Sequence, residues 1–157
     1  MGAEGLRNYA RHTFEVEMSL SQAQQFKLRF FRSYQGFNIY YQQQKSSRTR
    51  QLSTLSGRIR RFSSGYASLT QKLNSPVQGT AADVIKRALV ELTVDLARTG
   101  AQIVACIHDE IVLEVAADQA ESAKAILEQV MVEAGRHYLP DVPVAVEAAI
   151  ADSWGGK

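Results

Sequence analysis

Three ionisable side chains stand side by side in an apolar run: His108, Asp109 and Glu110 in CIHDEIV, residues 106–112. A desolvated charge is costly unless it is paired or metal-bound, so the middle of a buried strand is the wrong place for them. A tight turn at His108-Asp109, with an apolar strand on either side, removes the conflict. The strands then anchor the turn, and the turn carries its side chains past the sheet rim. Asp109 on such a rigid support offers a hard carboxylate oxygen of the kind Mg²⁺ takes. Mg²⁺ keeps several waters and needs only one or two protein carboxylates plus substrate phosphates, so Asp109 with its neighbour Glu110 suits half of a phosphoryl-transfer site. His108 is placed to donate a hydrogen bond to a phosphate. The same tripeptide also suits an ordinary turn, since Asp favours turns. The tripeptide is too weak a signal for a zinc site, because His12 and His137 lie far off in sequence and no paired spacing appears.

A second constellation lies in NSPVQGTAAD, residues 74–83. The amide side chains of Asn74 and Gln78 are four apart, and Gly79, Ala81 and Ala82 leave the surface beside them bare. Small residues permit close approach by a backbone or a duplex. In the minor groove A·T and T·A present the same acceptors, so an amide donor can test base-pair geometry without choosing a sequence. The ordinary alternatives are helix capping for Asn74 and a solvated polar residue for Gln78. The third signal is charge. The net charge of +2 hides a segregation: no acid occurs between Glu17 and Asp83, a stretch with ten Lys and Arg, whereas thirteen acids face six Lys and Arg from Asp83 onward. Such a basic half, with Arg58, Arg60 and Arg61 clustered, favours a polyanion such as nucleic acid over a plain solvated face.

The elements that must position these residues follow from the pattern. A chain of 157 residues, nearly half of them apolar, is long enough for a real core. Its single cysteine, Cys106, allows no internal disulfide and fits a reducing, cytoplasmic setting. No apolar run reaches a membrane span and no secretory h-region opens the chain. Ser19 and Gln22 stand at capping-box spacing, and Ala23, Phe26, Phe30 and Tyr34 make one helical stripe, expected to be core. Gly36 interrupts, and a second helix is expected from Phe37 to about Lys45. Leu52, Thr54 and Ser56 predict a short strand; after Gly57 a second strand follows, with Arg58, Arg60 and Arg61 at the tip. SSGYAS, residues 63–68, reads as a loop. The long helix is expected to begin with Pro76 in its first turn under a Ser75 or Asn74 cap. Ala81, Val84, Ile85, Ala88, Leu89, Leu92 and Leu96 form its apolar face, and Gly100 its stop. After the hairpin, Asp118 is expected to cap a helix with Ala123, Ile126, Leu127, Val130 and Ala134 inward. VPVAVEAAIADSW, residues 142–154, then predicts a closing strand. The sum is an α+β chain: an antiparallel sheet backed by helices.

These segments, in this order, resemble the C-terminal part of a family A DNA polymerase of the bacterial DNA polymerase I type. GAEGLRNYA is similar to the segment after the nucleotide-binding helix of the fingers, and SLSQAQQFKLRFFRSYQGF to the next fingers helix pair. TLSGRIRRF resembles the Gly-Arg-Arg-rich hairpin, NSPVQGTAADVIKRAL the helix Asn-x-Pro-x-Gln-Gly-Thr-Ala-Ala-Asp, CIHDEIVLEV motif C, and VPVAVEAAIADSW the final palm strand. The resemblance implies residues 1–50 as a helical fingers portion and 51–157 as palm. It implies Asp109 as the catalytic carboxylate that binds Mg²⁺ and Glu110 as its catalytic neighbour. It implies His108 at the primer-terminal backbone, Asn74 and Gln78 at the minor groove, and Arg58, with Arg60 and Arg61, on the hairpin facing DNA. The reaction implied is attack of a primer 3′-hydroxyl on a nucleotide α-phosphate with release of pyrophosphate, at a two-metal site. The partners implied are primer-template DNA and deoxynucleoside triphosphates, with no membrane.

The sequence also departs from the family pattern. The second catalytic aspartate of motif A and the nucleotide-binding helix fall outside these residues. GRIRRF carries an extra residue, the stretch from Phe62 to Asn74 is short, and Thr70 stands where an arginine is usual. The expectation is a fragment, truncated or partnered by an N-terminal polymerase fragment, with one half of the metal site, an unpaired sheet edge and little activity alone. Two rival readings are a non-catalytic DNA-binding remnant and a metal-dependent nuclease built on His108, Asp109 and Glu110.

Overall fold

The structure is a computed structural model that describes residues 2–63 and 65–156, so Ser64 of the expected SSGYAS loop lies outside the described residues. The chain divides after Arg48 into two compact units.

The first unit is three helices: α1 (Ala3–Phe14), α2 (Leu20–Ser33) and α3 (Gln35–Ser46). The capping box at the start of α2 forms as expected. The Ser19 hydroxyl accepts from the Gln22 amide, and the Gln22 side chain accepts from the Ser19 amide. The break between α2 and α3 falls at Tyr34, which leaves the helical region at φ −111°, ψ 73°, and Gly36 lies inside α3 rather than before it. The aromatic stripe corrects the expected core. Ala23 is fully buried, but Phe26, Phe30, Tyr34 and Phe37 are exposed. Among the described residues of this unit only Ala10 and Ala23 are buried apolar residues, because three short helices, α1 on α2 and α2 on α3, cannot enclose side chains as large as phenylalanine. The rings cluster on one another instead, Phe30 lying 5.0 Å from Tyr34 and 5.8 Å from Phe37 between centroids.

The second unit holds two hairpins and two helices. β1 (Gln51–Ser53) pairs antiparallel with β2 (Ile59–Arg61), Leu52 opposite Arg60. Arg60 and Arg61 therefore lie in the strand, and only Arg58 borders the turn; the expected cluster at the tip is corrected. α4 (Leu69–Asp95) starts seven residues before Pro76. Its cap is Ser68, paired with Gln71 in a second capping box, so neither Ser75 nor Asn74 caps it. A proline in a helix interior removes one N–H and costs roughly 3 kcal/mol or more. One contact from the hairpin and one within the helix brace this point: Arg60 donates to Ser75 Oγ at 2.9 Å, and Thr80 Oγ1 donates to the Pro76 carbonyl of its own helix at 2.8 Å. A 3₁₀ turn, Leu96–Arg98, ends the helix, and Gly100 at φ +70° supplies the left-handed stop.

β3 (Gln102–Ile107) and β4 (Glu110–Glu114) follow, with a bulge at Val104. α5 (Ala120–Tyr138) is entered through a 3₁₀ turn, Ala117–Gln119. Its cap position is Gln119 without a side-chain bond, so Asp118 does not cap it. All five expected inward residues, Ala123, Ile126, Leu127, Val130 and Ala134, are buried. They pack with Ala88, Leu92 and Leu96 of α4 and Ile111 of β4 as one core. The expected closing strand does not form. Val144, Val146 and Ala148 alternate with exposed neighbours as a strand would, but the segment has no ladder partner among the described residues. It lies on α5 instead: Gly135 leaves room for Val144, and the Ala148 amide donates to Glu128 Oε1 at 3.1 Å.

Candidate functional site

The carboxylate turn is built by strand pairing. Ile107 pairs with Glu110, which confines His108 and Asp109 to a two-residue loop. His108 takes φ +56°, a left-handed conformation that the turn requires and that histidine enters more readily than most residues. Cys106–Ile111 and Ile107–Glu110 pairing, with Ile111 buried in the core, fixes the loop base. His108 and Asp109 are both exposed, as the sequence reading expects of groups moved off a buried strand. The two acids differ. Asp109 makes no side-chain hydrogen bond or ion pair among the described residues, whereas Glu110 Oε1 accepts a hydrogen bond from Trp154 Nε1 at 3.0 Å. Among the described residues no group of three His, Cys, Asp or Glu gathers as a metal cage. The donor chemistry fits an ion such as Mg²⁺ that takes one or two carboxylates and completes its shell with water and phosphate.

The amide pair sits on the first half of α4. Asn74 and Gln78 are exposed one turn apart, and Ala81 and Ala82 continue the bare strip. Gly79 is different. A Cβ there would collide with Thr54 Cγ2, so its smallness admits the chain's own β1–β2 turn and not a duplex. That turn is tied to α4 by side chains. Arg58 Nε donates to Asp83 Oδ1 at 2.6 Å, Arg58 Nη2 to the Gly79 carbonyl at 2.9 Å, and Ser56 Oγ to Asp83 Oδ2 at 2.7 Å. The Leu55 amide donates to Thr80 Oγ1 at 3.1 Å. Burial pushes the Asp83 carboxyl up, but hydrogen bonds from Thr54, Ser56 and Arg58, with the Arg58 charge, outweigh it and hold it at about 2.

Of the three arginines, Arg58 is thus committed to Asp83, Arg60 spans from Ser75 to the face of Phe62, 5.0 Å from its ring centroid, and Arg61 is exposed. A cleft of about 370 Å³ opens beside Asp83, lined also by Ser56, Lys86, Arg87, Val90, Glu91 and Tyr138; none of the expected site residues lines it. Sequence reasoning missed Asp83 and Trp154. Asp83 carried a signal: it is the first acid after the acid-free run, and it shares a helix face with Thr80 and Gly79. Trp154 meets Glu110 across 44 positions, and nothing local in the sequence announces that contact.

The comparisons with known proteins bear on this geometry. The profile of DNA polymerase family A matches residues 1–156. The chain is similar to DNA polymerase I of Aquifex aeolicus, 36% identical over 98% of this chain and 27% of that protein. It is also similar to the thermostable DNA polymerase I of Thermus filiformis, 37% identical over 89% of this chain and 18% of that one. Among solved structures, the polymerase domain of Pol1 from M. smegmatis, in complex with DNA primer-template and dNTP, superposes with a TM-score of 0.64 at 23% identity, covering 84% of this chain and 25% of that one. The chain thus spans about a quarter or less of the length of these relatives. With a profile match along almost every residue, the chain belongs to DNA polymerase family A.

Proposed function

We propose that the chain is the palm and part of the fingers of a DNA-directed DNA polymerase, contributing one half of a Mg²⁺ site and the primer-template contacts beside it. The observation that carries this reading is the exposed Asp109 on a two-residue loop whose base is locked into the core. Residues 1–50 would be the fingers portion and 51–157 the palm, a boundary two residues from the division between the two compact units after Arg48. Asp109 would hold the ion, and Glu110 would add negative charge beside it. Bound there, Mg²⁺ supplies Lewis-acid stabilisation of the attacking and leaving oxygens during nucleotidyl transfer. His108 at the same turn would donate to the primer-terminal phosphate. Asn74 and Gln78 would reach the minor groove from the exposed strip of α4, where amide donors meet acceptors common to A·T and T·A. Arg60 and Arg61 would face DNA phosphates on β2. Arg58 supports them from below through Asp83.

The relatives' own partners are the model for the substrates: a solved polymerase domain with primer-template and dNTP. A chain that supplies one half of a two-metal site is expected not to extend a primer by itself. The test is a primer-extension assay with the chain alone and with a separately supplied preceding segment of a family A polymerase. The expected result is extension only in the mixture, abolished by Asp109→Ala. Extension by the chain alone, abolished by Asp109→Ala, would overturn the half-site. Salt-sensitive duplex binding with no extension in either arm would instead identify a DNA-binding remnant.

A further inference from the structure

The two acids of the turn are adjacent in sequence but do not share an environment. Asp109 is exposed and unengaged among the described residues, while Glu110 is half-buried and reaches the C-terminal 3₁₀ turn, Trp154–Gly156, through the Trp154 indole. An indole N–H is a donor only, so its partner must be an acceptor such as a carboxylate oxygen. A bond from a neutral donor to a charged acceptor is stronger than one between neutral groups. The contact also fixes which way the Glu110 carboxylate turns at a loop whose function depends on where its two acids point.

We propose that Trp154 is a positioning residue: by holding one Glu110 oxygen it divides the labour of the turn, leaving Asp109 as the metal ligand and keeping Glu110 as a tethered charge beside it. This rests on the polymerase reading for its consequence, but the contact can be tested without DNA, nucleotide or activity, so its failure leaves that reading standing. Trp154 is the single tryptophan in the chain and is 56% exposed, so the emission comes from this side chain only and is sensitive to its surroundings.

The experiment compares tryptophan emission and acrylamide quenching in the 157-residue chain and three variants, with far-UV circular dichroism as the folding control. Glu110→Ala removes the acceptor and is expected to shift emission to the red and raise quenching. Glu110→Gln keeps a carbonyl oxygen at the same reach and is expected to stay close to wild type. Asp109→Ala is expected to leave emission and quenching unchanged. If Glu110→Ala loses its helical signature, Glu110→Met, similar in length and lacking the acceptor, takes its place. Millimolar Mg²⁺ is expected to leave the emission in position. Identical emission and quenching in wild type and the acceptor-free variant would overturn the contact. A Mg²⁺-induced shift absent from Glu110→Gln would overturn the division of labour, because the ion would then be taking the oxygen that Trp154 holds.

Discussion

The two hairpins of the second unit are positioned by opposite means. β1–β2 has strands of three residues with largely exposed side chains, and it is fastened to α4 by Arg58, Ser56 and the Leu55 amide. β3–β4 is longer and is held by apolar burial, with Ile111 in the main core and Ile103 and Leu113 packed against it. A hairpin held by charges has its arginines occupied in holding. A hairpin held by burial leaves the polar side chains of its turn unspent. Asp109 is thus left exposed without a side-chain bond among the described residues, while Arg58 Nε and Nη2 are engaged by Asp83 and the Gly79 carbonyl. The contrast makes different demands on pH, packing and mutation, and each can be tried in turn.

The largest expected effect is in the buried hairpin. Ile111→Ala removes an almost fully buried side chain from the cluster of α4, α5 and β4. Large-to-small core changes of this kind cost about 2–5 kcal/mol, and the urea midpoint of the second unit should fall accordingly. An unchanged midpoint would mean that burial does not hold this hairpin. Asp83→Asn is the matching change in the charged hairpin. The folded carboxyl is held at about 2 against an ordinary 3.8, so its contribution is fully present above about pH 4 and is lost as pH falls towards 2. At neutral pH the contribution is on the order of 2 kcal/mol, from 1.36 kcal/mol per unit between 3.8 and about 2. Arg58 is 46% exposed, so water takes over part of its charge when Asp83 is gone, and the loss should be smaller than for a fully buried pair. Urea titrations at neutral pH and near pH 3 should show the difference between wild type and Asp83→Asn narrowing in acid. A difference that does not depend on pH would remove the ion pair from the explanation.

Gly79→Ala comes next. The added methyl meets Thr54 Cγ2, and either the hairpin or the helix must shift. Overpacking usually costs 1–3 kcal/mol; because Thr54 lies on a surface turn, about 1 kcal/mol is expected. The readout that matters is hydrogen exchange at the Leu55 amide, which should quicken as its bond to Thr80 lengthens. Unchanged protection there would show that the glycine serves something other than hairpin docking.

How much of this was legible follows the same division. Apolar periodicity gave the α5 face residue by residue, because burial repeats every three to four positions and needs no distant partner. The loop at His108-Asp109 was legible because a charged tripeptide between apolar runs has few places to go. The true α4 start is hidden in the sequence because Pro76 is a strong first-turn signal, and the quieter capping box of Ser68 and Gln71 lies upstream of it. The aromatic stripe of α2 has the periodicity of a core face and is exposed, because periodicity reports a face but not what covers it. The closing strand has the alternation of a strand and no neighbour to pair with, which a single segment cannot reveal. Arg58, Asp83 and Trp154 act through contacts 25 and 44 positions apart, and residue type alone does not choose among such partners.

Asp109→Asn should have the smallest effect on stability and the most informative consequence. The side chain is exposed and makes no hydrogen bond or ion pair among the described residues, so the unfolding midpoint should stay within about 0.5 kcal/mol of wild type. The amide keeps the shape of the carboxylate and loses its charge. In the mixture with a supplied preceding segment, primer extension should disappear although the fold is intact. Stability unchanged with activity lost is the signature of a group held for chemistry and not for folding. If Asp109→Asn destabilised the chain as Asp83→Asn does, the turn would be a structural device like the charged hairpin, and the contrast between the two hairpins would collapse.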